Sequence, residues 1–240
     1  MKSNKYKKTS LLNNDVFDKL SNEWWDENGS FKALHSFNLI RIKYLKNRLL
    51  TFSNNSLKNL KILDVGCGGG IFCEPLARLG ANITGIDTNQ RAINVARDHA
   101  KAHQLNINYQ KIDIEDFTSK DKFDIITCME VLEHVEDIGQ IISKSKLLLK
   151  KNGLFIGSTI NKTLSSFFFA ILLAEKVLKI IPKETHEWKK FIRPNYLRKH
   201  FLYNGFSEIE IDGVLYNPLK NTWKSSKFSK INYIFSAQNS

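Results

Sequence analysis

Short apolar runs alternate with amphipathic stretches through the middle of the chain. Five runs are typical of buried strands, near residues 60–65, 82–86, 107–112, 123–128 and 153–160. The stretches between them have the periodicity of helices, near residues 71–79, 89–103 and 138–149. Because strands that are connected through helices lie parallel in one sheet, this alternation predicts a doubly wound α/β fold.

The C-terminal region adds two more strands to this pattern. Pro194 is suited to the first turn of a helix, which we predict over residues 194–203. Strands are predicted near residues 206–211 and 230–237. The expected sheet is therefore mostly parallel and seven-stranded.

The composition indicates a single domain. The chain has 240 residues, of which 42% are hydrophobic and 11% aromatic, and this is enough to bury one sizeable core. We expect four parts: an N-terminal helical extension at 1–55, a ligand-binding core at 56–160, an apolar helical insertion at 161–193, and a closing helix and strands at 194–240.

Cysteine usage and the N-terminus suggest a compartment. Cys67, Cys73 and Cys128 are too few to form a disulfide framework, which suits a reducing environment. The N-terminal residues are basic and polar and contain no apolar run typical of a signal peptide or membrane anchor. A cytoplasmic protein is therefore expected.

The net charge of +12 is compatible with a nucleic-acid partner, but lysine is abundant throughout the chain, so composition bias also accounts for part of it. Enzymes that methylate adenine carry an Asn/Asp-Pro-Pro-aromatic tetrad at the end of the fourth strand, and those that methylate cytosine C5 a Pro-Cys nucleophile. Neither occurs here: Cys128 follows Thr127, and Asn217-Pro218 lies far downstream. No nucleic-acid partner is expected.

A glycine-rich turn after the first strand indicates a nucleotide cofactor. The segment has the sequence Lys61-Ile-Leu-Asp-Val-Gly-Cys-Gly-Gly-Gly70, and the next strand ends at Asp87. Glycines let the backbone approach a ligand closely, and an acid about 20 residues further on is placed to bind both ribose hydroxyls.

Two ligands compete for this turn. The dinucleotide-binding motif G-x-G-x-x-G requires a third glycine, and in this chain Ile71 stands at that position. Asp64 inside the strand end would repel a pyrophosphate but favours the positive S-adenosylmethionine. The acid and its glycines resemble motif I of the class I, Rossmann-like methyltransferases, and Asp64, Gly66, Gly68 and Gly70 fill that motif.

Two further strand ends offer cofactor contacts. Asp113 is placed to accept a hydrogen bond from an adenine amino group, with Ile114 against the ring, although a plain loop acid is an equal alternative. Met129 at the end of the fourth strand either lines the cofactor slot or is an ordinary core residue.

The end of the fourth strand carries candidate chemistry. Glu130, Glu133 and His134 lie within five residues and share one face if the turn is helical. They can bind a divalent cation that lowers the pKa of a phenol, or His134 can act directly as a general base. The alternative is that they only cap and orient a loop.

The apolar part of the insertion, residues 164–181, is too short to span a bilayer. Basic residues accompany and follow it, so it is suited to the interface of an anionic membrane. A buried helix or a lid over the active site is the alternative.

Taken end to end, the chain resembles the ubiquinone biosynthesis O-methyltransferase family. The similarity is carried by Trp24-Trp25-Asp26, Asn38-Leu-Ile-Arg41, the glycine loop, Cys128-Met-Glu-Val-Leu-Glu-His-Val135 and Pro182-Lys-Glu-Thr-His-Glu-Trp-Lys-Lys-Phe-Ile192. The tryptophan pair and the last block are the specific parts, because many methyltransferases share the glycine loop.

The resemblance implies S-adenosylmethionine contacts at Arg41, Gly66, Asp87 and Met129, with Arg41 holding the cofactor carboxylate. It also implies a magnesium-type site at Glu130, Glu133 and His134. The implied substrates are polyprenyl phenols and quinols, and the implied location is the cytoplasmic face of the inner membrane. Other enzymes of ubiquinone biosynthesis are further expected partners, and another small-molecule or RNA methyltransferase is the alternative function.

Overall fold

The computed structural model describes residues 20–50, 56–163, 191–217 and 219–240. Most of the predicted insertion lies outside these ranges, so an interfacial helix over 164–181 stays a prediction. Among the helices within the ranges, none combines the length and the apolar character that crossing a bilayer requires.

The elements follow the predicted alternation closely. The strands are β1 (Lys61–Val65), β2 (Asn82–Asp87), β3 (Asn108–Lys111), β4 (Phe123–Met129), β5 (Leu149–Ile160), β6 (Phe206–Asn217), β7 (Thr222–Ser226) and β8 (Asn232–Asn239). The helices are α1 (Lys32–Arg48), α2 (Cys73–Arg78), α3 (Gln90–Ala102), α4 (Ile138–Leu148) and α5 (Pro194–Tyr203), with short 3-10 turns at Ser21–Glu23 and Leu132–His134.

All described strands join one sheet in the order β3-β2-β1-β4-β5-β8-β6-β7. The pairs from β3 to β5 are parallel, and β8, β6 and β7 are added antiparallel. The strand order reverses between β1 and β4, and open α/β sheets bind ligands outside the carboxyl ends of the strands at such a point. The predicted doubly wound, mostly parallel fold is confirmed.

The described sheet has eight strands, so the predicted count of seven is wrong by one. The additional strand, β7, is polar and lacks the apolar alternation that identifies strands in a sequence. It forms because the turn at Asn221, where φ is +46°, pairs Asn217 with Thr222. Trp223 then stacks on Phe37 of α1, with ring centroids 4.0 Å apart.

Two apolar clusters cover the two faces of the sheet. Successive residues of β1 point to opposite faces, so Ile62 belongs to one cluster and Leu63 to the other. Helices α1, α2 and α3 bury residues in the cluster of Ile62, whereas α4 and α5 do so in the cluster of Leu63. This two-sided cover leaves the ends of the strands for function.

The cluster of Leu63 provides a test of the core. Phe155 is fully buried, and its ring lies 5.0 Å from that of Phe201 and 6.0 Å from that of Phe235. We expect Phe155→Ala to lower the free energy of unfolding by about 3–5 kcal/mol, measured by urea denaturation, because the cavity cannot close fully. Phe228→Ala is the control, since that side chain is 67% exposed and its loss should cost about 0.5 kcal/mol or less. Similar losses in both variants would contradict this packing.

Candidate functional site

The turn after β1 depends on its glycines. Gly66, Gly68 and Gly70 have φ values of +70°, +52° and +87°, which residues that carry a Cβ rarely adopt. A Cβ on Gly66 would also lie 2.4 Å from Cγ2 of Val131, and one on Gly70 would lie 2.4 Å from the hydroxyl of Tyr109. This turn, called the glycine loop below, therefore requires glycine at these positions.

Asp87 at the end of β2 organises the glycine loop. Its Oδ2 accepts a hydrogen bond from the backbone N–H of Gly68 at 2.9 Å, and its Oδ1 accepts one from Asn89 at 2.8 Å. Burial raises the pKa of this carboxyl, and the backbone hydrogen bonds oppose that shift. The acid predicted to bind ribose is thus fixed against the loop.

A cleft lies beyond the carboxyl ends of β1 and β2. Its lining includes Asp87, Asp113, Ile114 and Val131. Oδ1 of Asp113 accepts the backbone N–H of Glu115 at 3.0 Å, which fixes the carboxylate at the cleft. The two acids and the apolar side chain that were predicted to surround an adenosine therefore line one space.

Helix α1 brings a buried guanidinium to the same edge of the sheet. Arg41 is 3% exposed, its Cζ lies 4.3 Å from the centroid of the Phe37 ring, and its Nη2 lies 3.6 Å from Oε1 of Glu130. Within the described residues, its Nε and Nη2 have no hydrogen-bond partner. Burial lowers the pKa of Arg41, and the charges of nearby acids oppose this. Nε is therefore a buried donor left for an anionic group, whereas Nη2 is already ion-paired with Glu130.

The N-terminal extension packs directly on the glycine loop. A Cβ on Gly68 would lie 2.5 Å from the Trp24 ring, and one on Gly69 would be equally close to it. Trp25 donates a hydrogen bond from Nε1 to the carbonyl of Gly69 at 3.0 Å, and Asn38 donates one to the carbonyl of Ile71 at 2.7 Å. Trp24 and Trp25 were identified from the sequence only as a family signature, so their contact with the loop was missed.

Beneath the glycine loop, Asp64 belongs to a buried polar network. Thr127 of β4 donates to its Oδ1 at 2.6 Å, and the thiol of Cys73 lies 3.1 Å from its Oδ2. Burial raises the pKa of Asp64 to about 6, although these hydrogen bonds and the charge of Arg41 oppose the shift. Asp64 is therefore held inside the strand end.

The acids after β4 do not share a helical face. The 3-10 turn covers Leu132–His134, whereas Glu130 precedes it with a φ of +55°. Ser158 donates to Glu130 at 2.5 Å, and Thr159 donates to Glu133 at 2.7 Å. The shared-face arrangement considered for a helical turn is therefore wrong for Glu130, because its backbone is left-handed.

Met129 is buried in the apolar cluster of Ile62.

The predicted site residues thus come from separate elements to one edge of the sheet, at the ends of β1, β2 and β4, after β3, and on α1. They are Arg41, Asp64, Gly66, Gly68, Asp87, Asp113, Met129, Glu130, Glu133 and His134.

Comparison with known proteins assigns this arrangement to a family. A family model described as a methyltransferase domain matches residues 56–224. A ubiquinone biosynthesis O-methyltransferase of Pelagibacter ubique is 46% identical over 225 residues, which cover 92% of this chain and 94% of the relative. The relative of the same name in Glaesserella parasuis is 45% identical and is covered to 96%. The chain belongs to the ubiquinone biosynthesis O-methyltransferase family.

Solved structures support the methyltransferase fold. Magnesium protoporphyrin IX methyltransferase from Synechocystis, crystallised with bound SAH, matches with a TM-score of 0.67 over 94% of this chain and 95% of that one. A possible histamine N-methyltransferase from Thermotoga maritima matches with a TM-score of 0.66. These two proteins are 22% and 18% identical in sequence to this chain, so the similarity shows a shared fold alone.

The metal implied for this family can be compared with the donors present. Burial, and then repulsion between its carboxylate and that of Glu130, raises the pKa of Glu133 to about 8. A pair of neighbouring carboxylates suits a hard divalent cation, because the cation would relieve the repulsion between them. In the described residues, however, ligand atoms of Glu130, Glu133 and His134 do not all lie within 4.8 Å of one another. Binding one cation with all three requires side-chain rotation.

Asp64 makes the stability of this family member depend on pH. A carboxyl whose folded pKa is raised stabilises the fold fully below its unfolded pKa near 4, and this contribution is lost as the pH rises through about 6. The loss is roughly 3 kcal/mol, and Asp64→Asn should remove it because the amide has no charge to desolvate. Urea denaturation from about pH 4 to pH 7 measures the difference between variant and wild type.

Asp98→Asn is the control for this experiment, because that acid lies on the exposed side of α3. A difference between Asp64→Asn and wild type that stays constant over the pH range would show that Asp64 is not held in a desolvated site.

Proposed function

We propose that the protein is an S-adenosylmethionine-dependent O-methyltransferase of ubiquinone biosynthesis, acting on phenolic hydroxyls of polyprenyl catechols and demethylubiquinol. The observation that carries this proposal is the near full-length similarity to relatives of that name, 46% over 92% of the chain in Pelagibacter ubique. The cofactor is supported by the fold and by the site geometry.

Each part of S-adenosylmethionine has a matching group. The cleft of Asp87 and Asp113 offers acceptors for ribose hydroxyls and an adenine amino group, with Ile114 as an apolar wall. The guanidinium of Arg41, whose Nε has no hydrogen-bond partner among the described residues, suits the cofactor carboxylate, because a guanidinium can bind a carboxylate bidentately. The acids around Arg41 favour the positive sulfonium.

The reaction is an in-line displacement. The substrate oxygen attacks the methyl carbon, the carbon–sulfur bond breaks, and its electron pair stays on sulfur in S-adenosylhomocysteine. The phenolic proton must leave for this attack, and His134 is the proposed general base, while Glu130 orients the acceptor. Alternatively, Glu130, Glu133 and His134 would hold a magnesium ion, which would supply Lewis acidity that lowers the phenol pKa.

An apolar acceptor is supported by a second cleft. Val135 lines both this cleft and the cleft of Asp87 and Asp113. Leu132, Phe191 and Ile192 give it apolar walls, and charges of both signs also line it, on Glu136, Asp137, Lys162 and Arg193. The apolar walls suit a phenolic ring with an isoprenoid tail. Peripheral association with the inner membrane, and contact with other enzymes of the pathway, are part of the proposal.

A second candidate is RNA methylation, which the net charge of +12 favours. It predicts turnover that requires neither a membrane surface nor an apolar tail.

The ribose assignment predicts a loss of cofactor affinity in Asp87→Ala. We expect binding of S-adenosylhomocysteine to weaken by about 10- to 100-fold, measured by calorimetry, because a pair of charge-assisted hydrogen bonds is lost. Asp121→Ala is the control, since this exposed acid pairs with Lys61 at the opposite end of β1. Circular dichroism confirms that each variant folds. Equal affinity in wild type and Asp87→Ala would refute the assignment.

Turnover tests the function as a whole. S-adenosylhomocysteine formation is measured with a polyprenyl catechol on vesicles, in the presence of magnesium and then of a chelator. We expect turnover on anionic vesicles to exceed that on zwitterionic ones, because basic residues near the membrane are attracted to anionic lipid. Equal rates on both would argue against the membrane partner.

The chelator and His134→Gln separate the two routes of deprotonation. Turnover that stops with the chelator and returns with magnesium supports the cation, whereas turnover that survives chelation but is lost in His134→Gln supports the general base. Absence of turnover with the catechol, while S-adenosylhomocysteine still binds, would overturn the proposed substrate and favour RNA or tail-less phenols.

A further inference from the structure

A second group of metal-binding side chains lies behind the glycine loop. Glu74, His99 and His103 each offer a ligand atom, and these atoms all lie within 4.8 Å of one another. Glu74 belongs to α2, and the two histidines lie at the end of α3. None of the three belongs to the site described above.

The local structure explains why these side chains converge. His99 and His103 are four residues apart, so they lie on one face of the helical turn, and their ring centroids are 4.2 Å apart. Helix α2 places Glu74 against this face, where its Oε1 lies 2.6 Å from Nδ1 of His99. Glu74 is 2% exposed, whereas His103 is exposed, so a cation can reach the group from solvent.

We propose that Glu74, His99 and His103 form a binding site for a divalent transition metal ion of the zinc type. Two imidazoles and one carboxylate are borderline donors that suit zinc, copper or nickel, whereas magnesium and calcium prefer oxygen donors alone. A pair of histidines four residues apart on a helix is a geometry that binds zinc. The proposed ligand class therefore differs from that of Glu130, Glu133 and His134.

One neighbouring charge opposes the cation. Nη2 of Arg78 lies 3.5 Å from Oε2 of Glu74, and the Arg78 side chain is 50% exposed. A metal ion therefore competes with this guanidinium, which can move into solvent because it is half exposed. Replacement of Arg78 by an uncharged residue should therefore strengthen metal binding.

The site is connected to the glycine loop through one indole. The ring of His99 is stacked on that of Trp25, with centroids 3.5 Å apart and planes 2° apart, and Trp25 donates its hydrogen bond to Gly69. Coordination that fixes the His99 ring also holds the surface on which Trp25 rests. The metal ion would thus stabilise the contact between the N-terminal extension and the glycine loop.

Zinc binding to the full-length, metal-free protein is measured by calorimetry with Zn²⁺ alone. We expect His103→Gln to weaken binding by about tenfold or more, because one ligand is lost, and Arg78→Gln to strengthen it, because the competing cation is removed. His200→Gln, on α5, is the matched control and should leave binding unchanged. His103 is exposed, so its replacement is not expected to affect folding.

Two outcomes would overturn the proposal. One is the absence of Zn²⁺ binding by the wild type, and the other is equal binding by wild type and His103→Gln. Binding that survives His103→Gln but is lost in His134→Gln would place the ion at the β4 end instead. As a second readout, Zn²⁺ should change the tryptophan fluorescence of the wild type but not that of Trp25→Phe, and a change that persists in Trp25→Phe would overturn the connection to the loop.

Discussion

The buried Arg41 is the charge around which the candidate site is balanced. Burial lowers the pKa of Arg41, and the negative charges of Glu130, Asp64 and Glu133 each oppose that shift. Burial raises the pKa of Asp64 to about 6, and burial together with the charge of Glu130 raises that of Glu133 to about 8, while the positive charge of Arg41 opposes both shifts. A positively charged ligand would lower both pKa values, whereas the pyrophosphate of a dinucleotide would raise them further, so the site favours the positively charged ligand.

The sheet topology explains how these charges meet. Asp64 and Thr127 are register partners in the parallel pair of β1 and β4, which is why one accepts a hydrogen bond from the other. This pair lies where the strand order reverses, the position at which open α/β sheets bind ligands. Arg41 enters from outside this arrangement, on a helix that precedes the first strand. The α/β core alone would therefore leave its acids without their cation.

The periodic part of the fold was predictable from the sequence, because it depends on local patterns. Strands β1 to β4 and helix α5 begin and end within about two residues of the predicted positions. Strand β7 was not predictable, since Trp223 stabilises it through a distant contact with Phe37. Asp87 was located from its spacing as the acid that ends the second strand, and the structure has it as the last residue of β2. Its binding to ribose stays a prediction.

Side-chain contacts of the site were harder to predict. The left-handed backbone of Glu130 has no signature in its residue type, because glutamate rarely adopts that conformation. The contact of the Trp24 ring with Gly68 and Gly69 joins segments more than 40 residues apart, and no periodicity describes such a contact. A family signature identified Trp24 and Trp25 without giving their role.

That role is physical protection of the glycine loop. Gly68 and Gly69 have no side chains, so their backbone is covered only if another segment supplies the apolar surface, and the Trp24 ring does so. Trp24 in turn stacks on Phe31, with ring centroids 4.0 Å apart, which ties the cover to the start of α1. The same helix carries Arg41, so the segment that shields the loop from water also places the guanidinium beside Glu130. The loop and the charge balance of the site therefore depend on one N-terminal extension, and disruption of that extension would affect both.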